Sequence, residues 1–564
     1  MPNSSEPSPV SALAPVATGE RIQALDVVRG FALLGIFLMN VEFFNRPLSE
    51  LDMGLPDTLT GIDWWAGWLV YDFIQGKFWT MFSLLFGMGF AVMLTRAERA
   101  GRSFLRPYLR RIAVLGVLGA AHHIFIWAGD ILFSYAVGAL ALLLLLYGNA
   151  RALAAAFVAL VACGFIPGFD GLWDAAGGLA CIGVAGWFLR SEQTARIGDW
   201  DVPEFSLAPL AIGTVLAAVA LGFWLVPGAP SSPRLPLSIL AGAFLAIGVF
   251  SARFHQPAEA RMRRLGIGMY VLPFLLMAAF GLSDYVASQA PATAPSAGQV
   301  ASDAPAGRAR ADKPERRSDP EAEARAEQQA ERIEREFERA RQAREEIQTL
   351  TQGSYAEAVR LRAGHFVEDA PGQSEFAVVI VGMFLLGAWF VRSGVMEDTA
   401  AHLPLFRKLA LYGIPFGCGL GLAASAISTG QQHGQSPELY QFASALHLLG
   451  NLPACLGYVG LLVLMLHSKT VLAKISVVAP AGRMALSNYL AQSVIGTLVF
   501  YGYGLGYWGL GRAWQVLFVV VVFALQVVFS HWWLSKFRYG PLEWLWRAAT
   551  YWQVPAMRRE PPMA

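Results

Sequence analysis

Arg29 and Asn40 stand eleven positions apart in the otherwise apolar run RIQALDVVRGFALLGIFLMN, which spans Arg21 to Asn40. At about 100° per residue this spacing brings them within about 20° of each other, and Asp26 falls within about 60° of Arg29, so all three share one helical face. From Leu25 to about Phe44 the run is long enough, at about 1.5 Å per residue, to cross a hydrocarbon core of about 30 Å. Charges in such a helix cost a few kcal/mol unless they meet a partner or a wet cavity, so this face points inward and carries a site. Gly30 and Gly35 are places for another helix to approach closely.

His122 is the next group that could do chemistry. It lies eleven residues beyond Arg111, on the same helical face and about 16 Å further along, which predicts a position near the membrane midplane. An imidazole there can take or give a proton near neutral pH; a neutral histidine bonded to a neighbouring helix is the plainer alternative. Eight residues on, Asp130 sits in the short Gly129-Asp130-Ile131-Leu132 turn, where it either caps the following helix or meets a polar substrate. Lys77 opens an apolar glycine-bearing run, placed to snorkel to the interface or to bind an anion. Further along, Ser444, His447 and Asn451 form a polar stripe, and Asn488 and Gln492 are one turn apart on another apolar segment.

The elements that must position these groups are membrane helices. Hydrophobic residues make up 55% of the 564, charged residues only 15%, and a soluble domain would carry about a quarter charged. About twelve to fourteen apolar segments follow one another, the 177–190 one short, and residues 63–75 read as an interfacial aromatic stretch with Trp64, Trp65, Trp68 and Tyr71. The expected fold is an all-α polytopic membrane protein. Loop arginines and lysines such as Arg96, Arg111, Arg264, Lys408 and Arg538 gather on one side, and only Arg46, Arg234 and Arg512 fall in short loops on the other, which predicts cytoplasmic N- and C-termini. The expected organisation is a polar tail over 1–20, a first bundle over 21–287, an extracytoplasmic linker and charged helix over 288–375, a second bundle over 376–535 and an interfacial tail over 536–564. In the insertion, Ser318 to Glu321 has the form of a capping box, followed by a helix rich in Glu and Arg whose apolar stripe is thin. The N-terminal residues lack a basic stretch and a small-residue cleavage site, so the first helix is expected to serve as an uncleaved anchor.

A net charge of +2 spread along the chain gives no nucleic-acid surface. Cys163, Cys181, Cys418 and Cys455 all fall in apolar segments without C-x-x-C spacing and read as small core residues. P-loop, H-E-x-x-H and G-x-S-x-G motifs are missing, the glycines of GYGLGYWGLG do not follow a strand, and no metal is expected.

Five stretches carry a family resemblance. They are R-x-x-x-L-D-x-x-R-G from Arg21, GKFWTMFSLLFGMGF from Gly76, His122 with Gly129-Asp130-Ile131-Leu132, GRMALSNYL from Gly482, and WLSKFRYGPLEWLWR from Trp533. Together they resemble the bacterial YeiB-like family of multipass proteins. The first also resembles the opening helix of a transmembrane acyltransferase superfamily that includes heparan-glucosaminide N-acetyltransferase. That resemblance implies acyl-CoA as donor co-substrate, a glycan or lipid acceptor, and residence in the bacterial cytoplasmic membrane. In the acetyltransferase group the Asn closing the first helix works with a His shortly after it. Asn40 matches that Asn, but the corresponding region here reads Glu42-Phe43-Phe44-Asn45-Arg46-Pro47 and holds no His. Either His122 fills the role or the fold serves another purpose.

The resulting expectation is a membrane acyltransferase-like protein with His122, Asn40 and Asp130 as catalytic groups. Asp26, Arg29, Lys77, Arg111, His447, Asn451 and Asn488 would bind substrate or donor. Membrane lipids and a second copy of the chain complete the expected partners. The alternatives are a carrier for a small polar or amphipathic solute, whose path the same residues would line, and a membrane scaffold whose insertion recruits a partner.

Overall fold

The computed structural model describes residues 23–559 apart from 51–53, 57, 170, 199, 228, 290–319 and 429–438. The tail over 1–20, most of the expected linker and the Ser318 capping box therefore lie outside the described residues. The helices are α1 (Gln23–Asn40), α2 (Gly61–Phe73), α3 (Lys77–Arg99), α4 (Leu105–Phe125), α5 (Leu132–Tyr147), α6 (Ala150–Gly164) and α7 (Leu172–Arg190). There follow α8 (Glu204–Leu225), α9 (Arg234–Phe254), α10 (Ala258–Gln289), α11 (Pro320–Gln352), α12 (Tyr355–Asp369) and α13 (Gln373–Arg392). The chain continues with α14 (Leu403–Lys408), α15 (Ile414–Ser428), α16 (Tyr440–Leu466), α17 (Ala479–Arg483), α18 (Ala485–Phe500), α19 (Arg512–Lys536) and α20 (Pro541–Tyr551). One two-stranded hairpin, Thr194–Ile197 with Trp200–Pro203, precedes α8.

Among the described residues ten helical segments are long and apolar enough to span a membrane, and α5, α6 and α18 are shorter apolar helices. The protein is thus an all-α polytopic membrane protein. Helices from both halves of the chain share one core: α13 packs on α3, α5, α7 and α10, and α1 packs on α17 and α18. Small residues permit the closest approaches. A side chain on Gly482 would strike the Asp26 carbonyl, one on Gly30 the Val478 carbonyl, and one on Gly387 the Leu84 carbonyl. Without a hydrophobic force between helices in lipid, such backbone proximity is how dispersion contacts accumulate. At the periphery α8 and α9 pack mainly on each other and leave Val215, Leu221, Trp224 and Val249 exposed, as lipid-facing surface requires.

The charged insertion is helical, as expected, from Pro320 to Gln352. A second short helix, α12, follows it and has a capping box of its own, Ser354 with Glu357. Arg362 of α12 donates to the carbonyl of Ile124 at 3.0 Å, so the insertion is fastened to the C-terminal end of α4.

Candidate functional site

The C-terminal motif shapes one wall of the site. Glu543, on α20, turns its carboxylate to the start of α18. There Oε1 accepts from the backbone N–H of Leu486 at 2.7 Å and of Ser487 at 3.1 Å, and Oε2 accepts from Ser487 Oγ at 2.6 Å. A carboxylate on the first free N–H groups of a helix satisfies them and complements the helix dipole. Burial pushes the Glu543 carboxyl above its ordinary value, against the lowering effect of these hydrogen bonds. The GRMALSNYL and GPLEWLWR stretches therefore clasp one another.

Beside this clasp lies a cavity of about 330 Å³. Five arginines line one end, Arg29, Arg111, Arg483, Arg538 and Arg547, with Asp26 and Glu543 among them. Arg29 Nη1 lies 3.2 Å from Asp26 Oδ1, and the Arg111 guanidinium lies 4.2 Å from the Trp546 ring centroid. Deeper in, the walls are apolar, from Ile36, Phe82, Leu85, Phe86 and Leu115. Ile131, Leu132, Tyr135 and Tyr489 line the part next to the α4–α5 turn.

His122 and Asp130 meet at this turn. Nδ1 of His122 is 2.8 Å from Asp130 Oδ1, with both side chains fully enclosed, and Asp130 Oδ2 accepts from the Phe133 N–H at 2.8 Å. Asp130 thus both caps α5 and orients the imidazole. A carboxylate can only accept, so Nδ1 carries the proton and Nε2 presents its lone pair. Nε2 has no hydrogen-bond partner; neither does the buried Tyr489 hydroxyl, whose ring centroid is 5.4 Å from that of His122. His122 occupies the last turn of α4, because the helix ends at Phe125 and the chain turns back through Trp127 to Asp130.

The other sequence candidates separate. Asp26, Arg29 and Arg111 line the cavity. Asn40 is buried at the end of α1 and is not among the lining residues; the segment after it packs on the turn beyond His122, with Phe44 against Trp127 at 4.4 Å and the Phe43 carbonyl accepting from Trp127 Nε1. Asn488 donates to the Ala481 carbonyl and to Ser530 Oγ, both at 3.1 Å, and so ties α18 to α17 and α19. Lys77 does not snorkel. It is completely buried, with Nζ 3.4 Å from His447 Nε2, because α3 starts inside the protein after a break at Gly76. The Asn451 amide fills the space that a side chain on Gly76 would need. Lys77, His447 and Asn451 thus form a second buried group away from the cavity walls.

Several residues escape sequence reasoning. Tyr489 lies within a quoted motif but has no charge to mark it; Glu543 reads as an interfacial residue; Asp72 closes an aromatic helix, its acidity inside an apolar segment being the available signal. Among the described residues no group of three or more His, Cys, Asp or Glu side chains could hold a metal ion. The arginines can hold phosphate or carboxylate groups by charge-assisted hydrogen bonds.

Fold and site define a polytopic helical membrane protein with a cavity lined by five arginines; a histidine–aspartate pair, itself not in the lining, lies behind the lining residue Tyr489. Residues 390–553 match the family described as "Protein of unknown function (DUF418)". The chain is 26% identical to the uncharacterized protein YxaH of Bacillus subtilis over 97% of its length and 99% of that protein's. It is 24% identical to the uncharacterized protein YeiB of Escherichia coli over 94% of its length and 96% of that protein's. A shorter match, 39% identical, covers 22% of the chain and 33% of an uncharacterized protein of Bacillus acidopullulyticus. The family match thus lies in the C-terminal part of the chain, whereas the similarity to YxaH and YeiB runs over nearly its whole length. No solved structure matches it.

Proposed function

We propose that this protein is an acyltransferase of the bacterial cytoplasmic membrane that takes an acyl group from acyl-CoA on the side of the arginines and passes it to a glycan or lipid hydroxyl arriving from the opposite side. One observation carries the reading: an arginine-rich rim opens into apolar walls that include Tyr489, whose ring centroid lies 5.4 Å from that of an imidazole with an unpartnered Nε2. The rim suits the phosphates of coenzyme A, and the apolar depth suits an acyl chain and thioester. With both termini cytoplasmic, the arginines face the compartment that holds acyl-CoA.

In this mechanism His122 Nε2 takes the proton of the acceptor hydroxyl, and the oxygen attacks the thioester carbonyl. The tetrahedral oxyanion accepts a hydrogen bond from Tyr489, collapses with loss of the coenzyme A thiolate, and His122 returns the proton to sulfur. Asp130 holds the imidazole in the required tautomer throughout.

The test is binding of acetyl-CoA and longer acyl-CoAs to purified protein in nanodiscs, by thermal shift and calorimetry. A ligand that binds only the folded state raises stability by RT ln(1 + [L]/Kd). Saturable binding weakened about tenfold or more in Arg111→Met, and retained in His122→Ala with loss of transfer, is the expected result. No stabilisation by any acyl-CoA refutes the proposal.

A further inference from the structure

Apart from the arginine cavity, whose lining includes none of them, Asp72, Lys77, His447 and Asn451 lie together inside the membrane-spanning core. Three are fully buried and His447 is 6% exposed. They come from α2, α3 and α16, and α15 closes the group with Cys418, Gly421 and Ser425. Lys77 Nζ reaches His447 Nε2 at 3.4 Å. No partner meets ordinary hydrogen-bond geometry at either carboxylate oxygen of Asp72, beside which lie Ser425 and Lys77, at His447 Nδ1, whose ring lies near the Gln75 backbone, or at either amide atom of Asn451. Polar atoms left this way in a membrane interior are costly and call for a guest with both donor and acceptor capacity.

Gly421 supplies the place for that guest. A Cβ there would lie 3.5 Å from the Asp72 carbonyl, 3.7 Å from Asp72 Oδ1 and 3.8 Å from His447 Nδ1, so an oxygen slightly beyond that point is within hydrogen-bond reach of all three. The lysine ammonium can only donate, so His447 Nε2 accepts and Nδ1 bears the proton facing the niche. A group that accepts from Nδ1–H and donates to Asp72 is a hydroxyl, of which water is the smallest.

We propose that one water in the Gly421 niche joins His447 to Asp72 and completes an intramembrane proton-exchange site running Lys77–His447–water–Asp72. One concerted transfer moves a proton from the Lys77 ammonium to His447 Nε2, from Nδ1 to the water, and from the water to the Asp72 carboxylate. The number of protons is unchanged, and a buried ion pair becomes a neutral amine and a neutral acid. Besides these four groups, Cys418 and Ser425 of α15, Tyr71 of α2 and Tyr458 of α16 are the ionisable or hydroxyl neighbours. Tyr71 stacks on His447 at 4.7 Å, Tyr458 donates to the Phe73 carbonyl, and Ser425 accepts from Trp68 Nε1. The exchange gives the protein a charge-neutral switch within the bilayer, independent of the His122–Asp130 pair.

Infrared spectroscopy of the full chain in nanodiscs, with Gly421→Ala and Asp72→Asn, tests this. Alanine fits at Gly421 with ordinary contacts, so the variant folds and fills the niche. The expected result is a protonated-carboxyl stretch at neutral pH that is lost in Asp72→Asn and displaced in Gly421→Ala. Radiolytic footprinting, which oxidises side chains beside bound water, is expected to label His447 and Tyr71 in the wild type and to fall about tenfold or more in Gly421→Ala. An absent Asp72-dependent band, or His447 labelling unchanged in Gly421→Ala, overturns the proposal. Binding of acyl-CoA, measured separately, is unaffected by Gly421→Ala.

Discussion

Removing the Glu543 carboxylate is expected to be among the most damaging single changes outside the membrane spans. In Glu543→Ala the Leu486 and Ser487 N–H groups at the start of α18 lose their acceptor, and Ser487 Oγ loses its own. Each buried donor left unsatisfied costs about 1–3 kcal/mol, so the two backbone groups alone predict about 2–6 kcal/mol, at or above the roughly 0.5–2 kcal/mol of an ordinary exposed cap. Glu543→Gln keeps an oxygen where Oε1 receives both N–H groups, and its amide can donate to Ser487 Oγ; its cost is expected to stay near 1 kcal/mol. The order wild type, Gln, Ala is read from unfolding in mixed micelles of increasing SDS, followed by tryptophan fluorescence. The pH dependence has a definite sign. Burial raises the carboxyl of the folded state above its ordinary value of 4.5, so the stability linked to its proton is present below that value and is lost as pH climbs to the raised one. The advantage of wild type over Glu543→Gln therefore shrinks as pH rises through that interval. An alanine variant within about 0.5 kcal/mol of wild type refutes the capping account, and an advantage that grows with pH refutes the dominance of burial over the capping hydrogen bonds.

Asp130→Asn keeps an acceptor for the Phe133 N–H but turns a donor toward His122 Nδ1, which moves the imidazole proton to Nε2. Acyl transfer should fall by about 10²–10⁴ with acyl-CoA affinity unchanged, as single-turnover rates beside calorimetry would reveal. Glu42 is held between Arg512 at 3.1 Å and Arg46 at 2.6 Å, and Arg512 is only 3% exposed. Glu42→Ala should cost about 3–5 kcal/mol in the same SDS assay, whereas Glu397→Ala, which breaks the exposed 3.9 Å pair with Arg99, should cost under about 1 kcal/mol. Gly482→Ala drives a methyl into the Asp26 carbonyl and should destabilise by about 1–3 kcal/mol, separating α17 from α1; equal stability would mean that the helices do not meet there.

The apolar segments, the charged helical insertion and the polar face of α1 were legible in the chain because length, hydropathy and helical period are local properties. His122 and Asp130 were also legible as candidates, since a titratable group inside an apolar segment stands out at once. Their partnership was not. It depends on α4 ending at Phe125 and on the turn that folds Asp130 back onto the ring, and helix ends are the least determined feature of a sequence. Lys77 misled because an ammonium at the start of an apolar run ordinarily snorkels; here α2 and α16 enclose it.

What the sequence determined by itself was the kind of molecule, an all-helical membrane protein with ionisable groups held inside it, because lipid leaves the backbone no other way to satisfy its hydrogen bonds. The tertiary structure alone decided which of those groups work together. It sent Asp26, Arg29 and Arg111 to one cavity, Lys77, His447 and Asn451 to another place, and Asn488 to a helix tether. Helix order and rotation in the bundle follow from backbone approach at residues such as Gly30, Gly387 and Gly482, contacts between positions remote in the chain that no local pattern encodes.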